Sequence, residues 1–250
     1  MSNNVQSVDR VLDLIETIAS FPDGARQKDI QDRLGLPKST IHRLLSTLCN
    51  RAYVEKNIAT GRYQISHNLV SIASQYLGNL DVRVVASQHI KALSNRLNVT
   101  SHLAIESNHK AVYVEKFQPY SYACMFSAVG KNIDLYCSAL GKSFLLGYNQ
   151  KDLNEYVNNI EFFRFTANTI VSPDQLIREL EQARQDEITI DNAEHEEQVY
   201  CIASPIYDFQ NNIIAAISIS SDDKSSIFSN KFKNELIDVA NKISKIFGKK

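Results

Sequence analysis

The sequence predicts an α+β protein of two unlike domains: a winged helix-turn-helix, then a larger domain built on a mostly antiparallel sheet. Three observations carry that expectation. Two short helical patterns meet at a turn containing Gly35; a basic hairpin signal follows at 53–65; and beyond residue 100 apolar β-prone runs alternate with helical stretches.

Each element has a reason. In the first helix Val8, Val11, Leu12, Ile15 and Ile18 keep helical spacing after Ser7, a residue suited to capping, and FPDGA at 21–25 breaks the pattern. QKDIQDRL, 27–34, is a second short helix ending at Gly35, a good helix terminator. Leu36-Pro37 starts a third, in which Ile41, Leu44, Leu45 and Leu48 form one apolar stripe. Its other side carries Lys38, Ser39, His42, Arg43, Ser46 and Thr47, with Thr40 near the stripe's edge. Taken alone this is an amphipathic helix with a solvated face. Placed second in a helix-turn-helix, it is the helix that lies in the DNA major groove. YVEK and RYQI, separated by NIATG, add a wing, with Arg62 directly after the turn glycine.

On that reading Lys38 and Arg62 contact phosphate, while Ser39, Thr40, His42 and Arg43 face base edges and Arg43 can fork onto a guanine. The net charge of −1 does not oppose this. Between residues 36 and 64 five basic residues face Glu55 alone, and phosphate is met by one surface rather than by the chain average.

A helical pattern from Asn68 to Leu80 reads as a stiff linker, and Asp81 caps a longer helix to about Leu97. Strand-like runs follow at 101–106, 111–117, 123–129, 201–208 and 213–220, with FQNN as a hairpin turn between the last two. Helices are expected at 139–146, from Asp152, over 172–185 (Ser172 as cap, Pro173 at the first position, Gln175 completing a capping box) and from Asn230 to Phe247. The domains are thus 1–66, 67–80 as linker, and 81–250.

Composition excludes several classes. With 44% hydrophobic and 22% charged residues the chain is globular; it has neither a membrane-length apolar run nor a signal-peptide core, so a cytoplasmic protein is expected. Cys49, Cys124, Cys137 and Cys201 are widely spaced and read as reduced thiols. Cys201 with His195 and Asp191 is a conceivable nucleophile set, but it starts an apolar strand and no catalytic signature surrounds it. The histidines and cysteines lack zinc-ligand spacing. Neither an enzyme nor a metal or cofactor site is expected.

QSVDRVLDLIETIA, DIQDRLGLPKSTIHRLLSTL, YVEK…TGRYQI, LYCSALGK, RFTANTI, DNAEHEEQVYCIASPIYD and AAISIS together resemble the IclR family of bacterial transcription regulators, in the family's order and over nearly the whole chain. The resemblance implies a DNA-binding winged helix, a helical linker used in dimerisation, and a C-terminal effector-binding domain of GAF-like fold. It implies a homodimer or homotetramer on double-stranded operator DNA, most members being repressors. LYCSALGK and DNAEHE are close to members controlling sugar and sugar-acid catabolism, which points to a small carboxylate effector such as a sugar acid or keto-acid. Carried over by position, the effector pocket is lined by Ser138, Ala139, Asp191, Cys201, Ser218 and Ser220.

The residue chemistry at those positions agrees. SALGK opens a helix whose N–H groups suit an anion, and Ser218 and Ser220 share one strand face. Two departures stand out: Gln198 occupies a position where the family usually has glycine, and Glu187-Ile188 replaces a common glycine-tyrosine. Both bear on the turns around the pocket.

Overall fold

The computed structural model describes residues 5–69, 71–72, 81–119 and 127–249. The chain divides into two compact units, Met1–Leu80 and Asp81–Lys250.

In the first unit α1 (Gln6–Ala19), α2 (Gln27–Leu34) and α3 (Lys38–Asn50) enclose a core of Leu14, Ile18, Ile30, Ile41, Leu45 and Leu48. Val5, not Ser7, precedes α1: Val8 and Asp9 already donate their N–H groups to the Val5 carbonyl, so Ser7 lies inside the first turn. Asp29 accepts from the Arg26 N–H at the start of α2, and Gly35 ends it in the left-handed region, its N–H bonded to the Gln31 carbonyl at 2.9 Å. Pro37 is the cap of α3 rather than its first residue, and its carbonyl accepts from Thr40 and Ile41. The wing pairs β1 (Val54–Lys56) with β2 (Tyr63–Ile65), antiparallel, with Val54 opposite Ile65. Asn57 closes its turn by accepting from the Ala59 and Thr60 N–H groups. Ala25 exchanges two backbone bonds with Tyr63, fastening the α1–α2 loop to the wing. Helix begins again at 67, and the expected linker helix from 73 to 80 lies outside the described residues.

Among the described residues, the second unit holds one six-stranded antiparallel sheet. Its strands are β3 (Thr100–Ser107), β4 (Lys110–Phe117), β5 (Asn132–Asp134), β6 (Thr189–Asn192), β7 (Tyr200–Tyr207) and β8 (Ile213–Ser221), in the order β5-β4-β3-β8-β7-β6. Of the expected strand at 123–129, residues 123–126 lie outside the described ones, and 127–129 are irregular. The edge strand β5 lies just beyond, too short for a sequence pattern.

Alternation along the strands makes two different faces. Leu103, Ile202, Ile217 and Ile219 turn toward α4 (Val82–Leu97) and α9 (Asn230–Ile246), where Ser101 also donates to the Ile90 carbonyl. The opposite face carries Ala104, Ala203 and Ala216, and α5 (Ala139–Leu145) lies on it. Small side chains let that helix approach closely. α6 (Gln150–Asn159) starts earlier than expected because the Asn149 side chain caps it at Asp152 N–H. α7 (Pro173–Asp186) packs on β6; Ser172 occupies its cap position without a side-chain bond, so the capping box does not form. The short α8 (Lys224–Ile227), capped by Asp223, precedes α9.

Gly141 in α5 is where close packing is tightest: a Cβ there would lie 2.3 Å from the Leu135 Cα and 2.5 Å from its carbonyl oxygen. Backbone cannot step aside as a side chain can. Gly141→Ala should therefore destabilise the second unit by about 1–3 kcal/mol, the range for overpacked cores, seen as a lower urea midpoint.

Candidate nucleic-acid interface and ligand cleft

The apolar stripe of α3 is buried through Ile41, Leu45 and Leu48, so the polar positions between them are presented outward. Lys38, Ser39, His42 and Arg43 are exposed and line one concave surface. Thr40 is half-buried at its edge. Gln27, which the sequence reading passed over, joins that surface: its Nε2 donates to the Lys38 carbonyl at 3.2 Å, tying the first turn of α2 to the start of α3. Its place at the first position of the preceding helix was the available signal. Arg62 is half-buried, and its Nη1 donates to the Gly24 carbonyl at 2.7 Å. The guanidinium thus braces the wing against the α1–α2 loop.

In the second unit the sheet face that α5 covers continues past its alanines as a polar floor. There Asp191 pairs across to Cys201, Cys201 to Ser220, and His102 to Ser218. A cleft partly open to solvent lies over this floor. Asp191, Cys201 and Ser220 line it, joined by His102, Tyr113 and Glu196. Ser218 is buried just behind, 3.4 Å from His102 Nδ1.

Ser138 and Ala139 do not line the cleft. The Ser138 hydroxyl accepts from the Gly141 N–H at 3.0 Å and donates to the Asp134 carbonyl at 2.9 Å. Ala139 is buried, its carbonyl taking the Thr189 hydroxyl at 2.7 Å. One N–H of that helix opening, the Gly141 N–H, is thus taken by the helix's own cap.

Lys142 was missed by sequence reasoning. It is 1% exposed, and its ammonium bridges Glu179 of α7 and Glu194, whose Oε1 is at 2.7 Å. Burial would pull this amine down, but the two carboxylates outweigh it and hold the ammonium above its usual range. The sequence shows only a lysine early in a helix, which is ordinarily solvated.

Glu194 belongs to the turn after β6 that fixes Asp191: the Glu194 N–H donates to Asp191 Oδ1 at 2.7 Å. Thr166 and Thr169 donate their hydroxyls to the Ala193 and Glu194 carbonyls at 2.7 and 2.6 Å, and Asn168 donates to the Asn192 carbonyl at 3.0 Å. The RFTANTI and DNAEHE segments, far apart in sequence, are one interlocked structure. Burial pushes the Asp191 carboxyl up to about 7, with Glu194 adding to the shift and Lys142 opposing it. His102 is pushed down to about 3 by burial and by the charge of Lys116, leaving a neutral imidazole that meets Ser127 Oγ at 2.9 Å. Burial, with Asp191 next, keeps Cys201 a thiol. Among the described residues no group of histidine, cysteine and carboxylate side chains is placed to hold a metal ion, and no helix is long and apolar enough to cross a membrane.

Glu187 and Gln198, the two positions expected to be glycine, both adopt left-handed backbone, with φ of +55° and +61°. The turns keep the conformation without the residue that holds it most easily. Gln198→Gly should raise stability by up to about 1 kcal/mol, measured as a higher urea midpoint.

Asp191 also sets a pH dependence. Its folded-state pKa lies above the ordinary 3.8, so the stability it contributes is full below about pH 4 and is lost as pH rises through 7. Asp191→Asn removes that dependence. The variant should gain on the parent between pH 5 and pH 8 in matched urea unfolding curves.

Comparison with known proteins agrees with both halves. Residues 7–57 match the model for the IclR helix-turn-helix domain, and residues 74–245 match that for the bacterial transcriptional regulator IclR C-terminal domain. The chain is 31% identical over 216 residues to the HTH-type transcriptional regulator XynR of Escherichia coli (strain K12), covering 86% of each chain. It is 30% identical to the DNA-binding transcriptional repressor YiaJ of the same organism, covering 86% of this chain and 77% of that one. In fold it matches the Agobacterium tumefaciens repressor BlcR with a TM-score of 0.76, at 20% identity over 98% and 97% of the two chains. The chain belongs to the IclR family of bacterial transcriptional regulators, DNA-binding proteins rather than enzymes.

Proposed function

We propose that this protein is a sequence-specific repressor of catabolic genes, released from or retained on its operator by a small carboxylate effector such as a sugar acid or keto-acid. It works in the cytoplasm as a homodimer or homotetramer, with 1–66 binding DNA, 67–80 linking and 81–250 receiving the effector. The observation that carries the reading is the gathering of Lys38, Ser39, His42 and Arg43 on one outward surface above buried Ile41, Leu45 and Leu48.

The roles divide by chemistry. Lys38 is a phosphate contact, as is Arg62 through whatever part of its guanidinium the wing leaves to DNA; Ser39, Thr40, His42 and Arg43 read base edges. Two copies related by a two-fold axis need an operator with matching symmetry. The effector rests on the floor of Asp191, Cys201 and Ser220, with Ser218 buried just behind it. Names of relatives favour repression: YiaJ and BlcR are both called repressors. Effector and DNA are then linked by a coupling of about 1–3 kcal/mol.

The test is selection of binding sites from random duplex DNA, followed by gel-shift titration. A partly palindromic consensus is expected. Arg43→Ala should weaken binding to it by about 5- to 150-fold, the span of one bidentate base contact, and change non-specific binding little. Lys38→Ala should weaken both and reduce the salt slope by about one unit. Equal loss on specific and random DNA from Arg43→Ala would make that residue a phosphate contact only.

A further inference from the structure

The cleft's charges say more about its ligand than its position does, given the reading of it as the effector site. Asp191 and Glu196 are two carboxylates in one lining, and both charges act on Cys201 and on Tyr113. Asp191 Oδ1 takes the Glu194 N–H, and the side chain is 4% exposed, its remaining surface being cleft wall. No lysine or arginine lines the cleft among the described residues, and residues 120–126 contain none. Lys142 is engaged by Glu179 and Glu194. Lys116 lies on the β4 side, its ammonium donating to the Ser127 carbonyl at 2.7 Å.

The cleft is therefore polarised across the strands. At pH 7.5, above the value of about 7 to which burial pushes Asp191, the β6–β7 end holds the negative charges of Asp191 and Glu196, with the His195 imidazole beside them. The β3–β4 end holds donors: the Ser127 hydroxyl, the Asn132 amide and the field of Lys116. A ligand carboxylate at the first end would be repelled. A ligand ammonium would suit the acids but leave the neutral His102, the hydroxyls and the amide without matching acceptors. A hydroxyl donates to a carboxylate while accepting from a neighbour, so a run of hydroxyls satisfies both.

We propose that Asp191 and Glu196 together select a ligand bearing at least two neighbouring hydroxyls, and that any carboxylate on that ligand points away from them toward Ser127 and Asn132. Glu196 is thus a specificity-determining residue, and polyhydroxylated acids are favoured over simple keto-acids.

The test is titration calorimetry on the full chain at pH 7.5 with gluconate, galactonate, glucitol, galactitol, glucosamine, pyruvate and 2-oxobutyrate. At least one polyhydroxy acid or alditol should bind, at least tenfold more tightly than either keto-acid. Glu196→Gln and Asp191→Asn should each weaken that binding at least tenfold, whereas Glu197→Gln, at the exposed neighbour, should not. Because Asp191→Asn also alters a buried site, Glu196→Gln is the deciding variant, with its melting temperature checked against the parent. The proposal is overturned by a keto-acid binding as well as the polyhydroxy compounds, by glucosamine binding tenfold more tightly than glucitol, by unchanged affinity in Glu196→Gln, or by no polyhydroxy compound binding. A keto-acid that displaces the selected operator would overturn this inference and leave the regulator reading standing. Failure to select any operator would overturn that reading, while the calorimetry would still decide this one.

Discussion

A single buried ammonium organises the second unit. Lys142 has almost no contact with water, and a charge in that position is tolerated only with partners at hydrogen-bonding distance. Its partners come from two other elements, Glu179 on α7 and Glu194 in the turn after β6, so satisfying one side chain fixes α5, α7 and the turn together. That same turn gives its backbone N–H to Asp191. The position of the cleft's central carboxylate thus rests on an ion pair behind it. Removing Lys142 would strand the buried Glu194 carboxylate in a dry place rather than merely delete a contact.

The threonine clamp works on the same turn from the other side. Thr166 and Thr169 occupy the backbone carbonyls of Ala193 and Glu194, groups that a turn with left-handed Ala193 turns away from the sheet ladder. Electrostatics from α5 and hydroxyls from the 163–170 segment therefore converge on Ala193 and Glu194. A floor of strands alone would leave the Asp191 carboxylate free to follow the turn, whereas the double attachment holds it against Cys201.

Much of this was legible in the sequence, and what was not has physical reasons. The helix-turn-helix could be read because its spacing signals are local: Ile41, Leu45 and Leu48 define a face, and Gly35 ends a helix whatever else the chain does. Residues 213–220 were readable as a strand, and so was the shared face of Ser218 and Ser220, because period two needs no tertiary information. The polar residues of α3 could be named for the same reason. Lys142 and the Thr166–Ala193 bond depend on contacts between segments tens of residues apart, and Gly141 on the close approach of the Leu135 backbone; no local pattern marks them. Ser138 misled for a related reason. A serine before a helix signals a cap as readily as a pocket residue, and only its bonds to the Gly141 N–H and the Asp134 carbonyl show where it is engaged. β5 and the start of α6 were missed because three residues, or one asparagine cap, lie below what a pattern can resolve.

The two-faced sheet has a consequence for how such a protein can change. Its isoleucine face meets α4 and α9, while the reverse face packs its alanines under α5 and continues as a cleft floor of Ser220, Cys201 and Asp191, with Ser218 just behind. Room for a ligand comes from side chains that are short, not from a gap between strands. One added methyl or methylene on that floor reshapes the cavity while every backbone bond of the ladder, and every isoleucine behind it, stays where it was. A lineage built on this scaffold can thus trade one small metabolite for another by single substitutions, keeping its fold intact while its chemistry drifts.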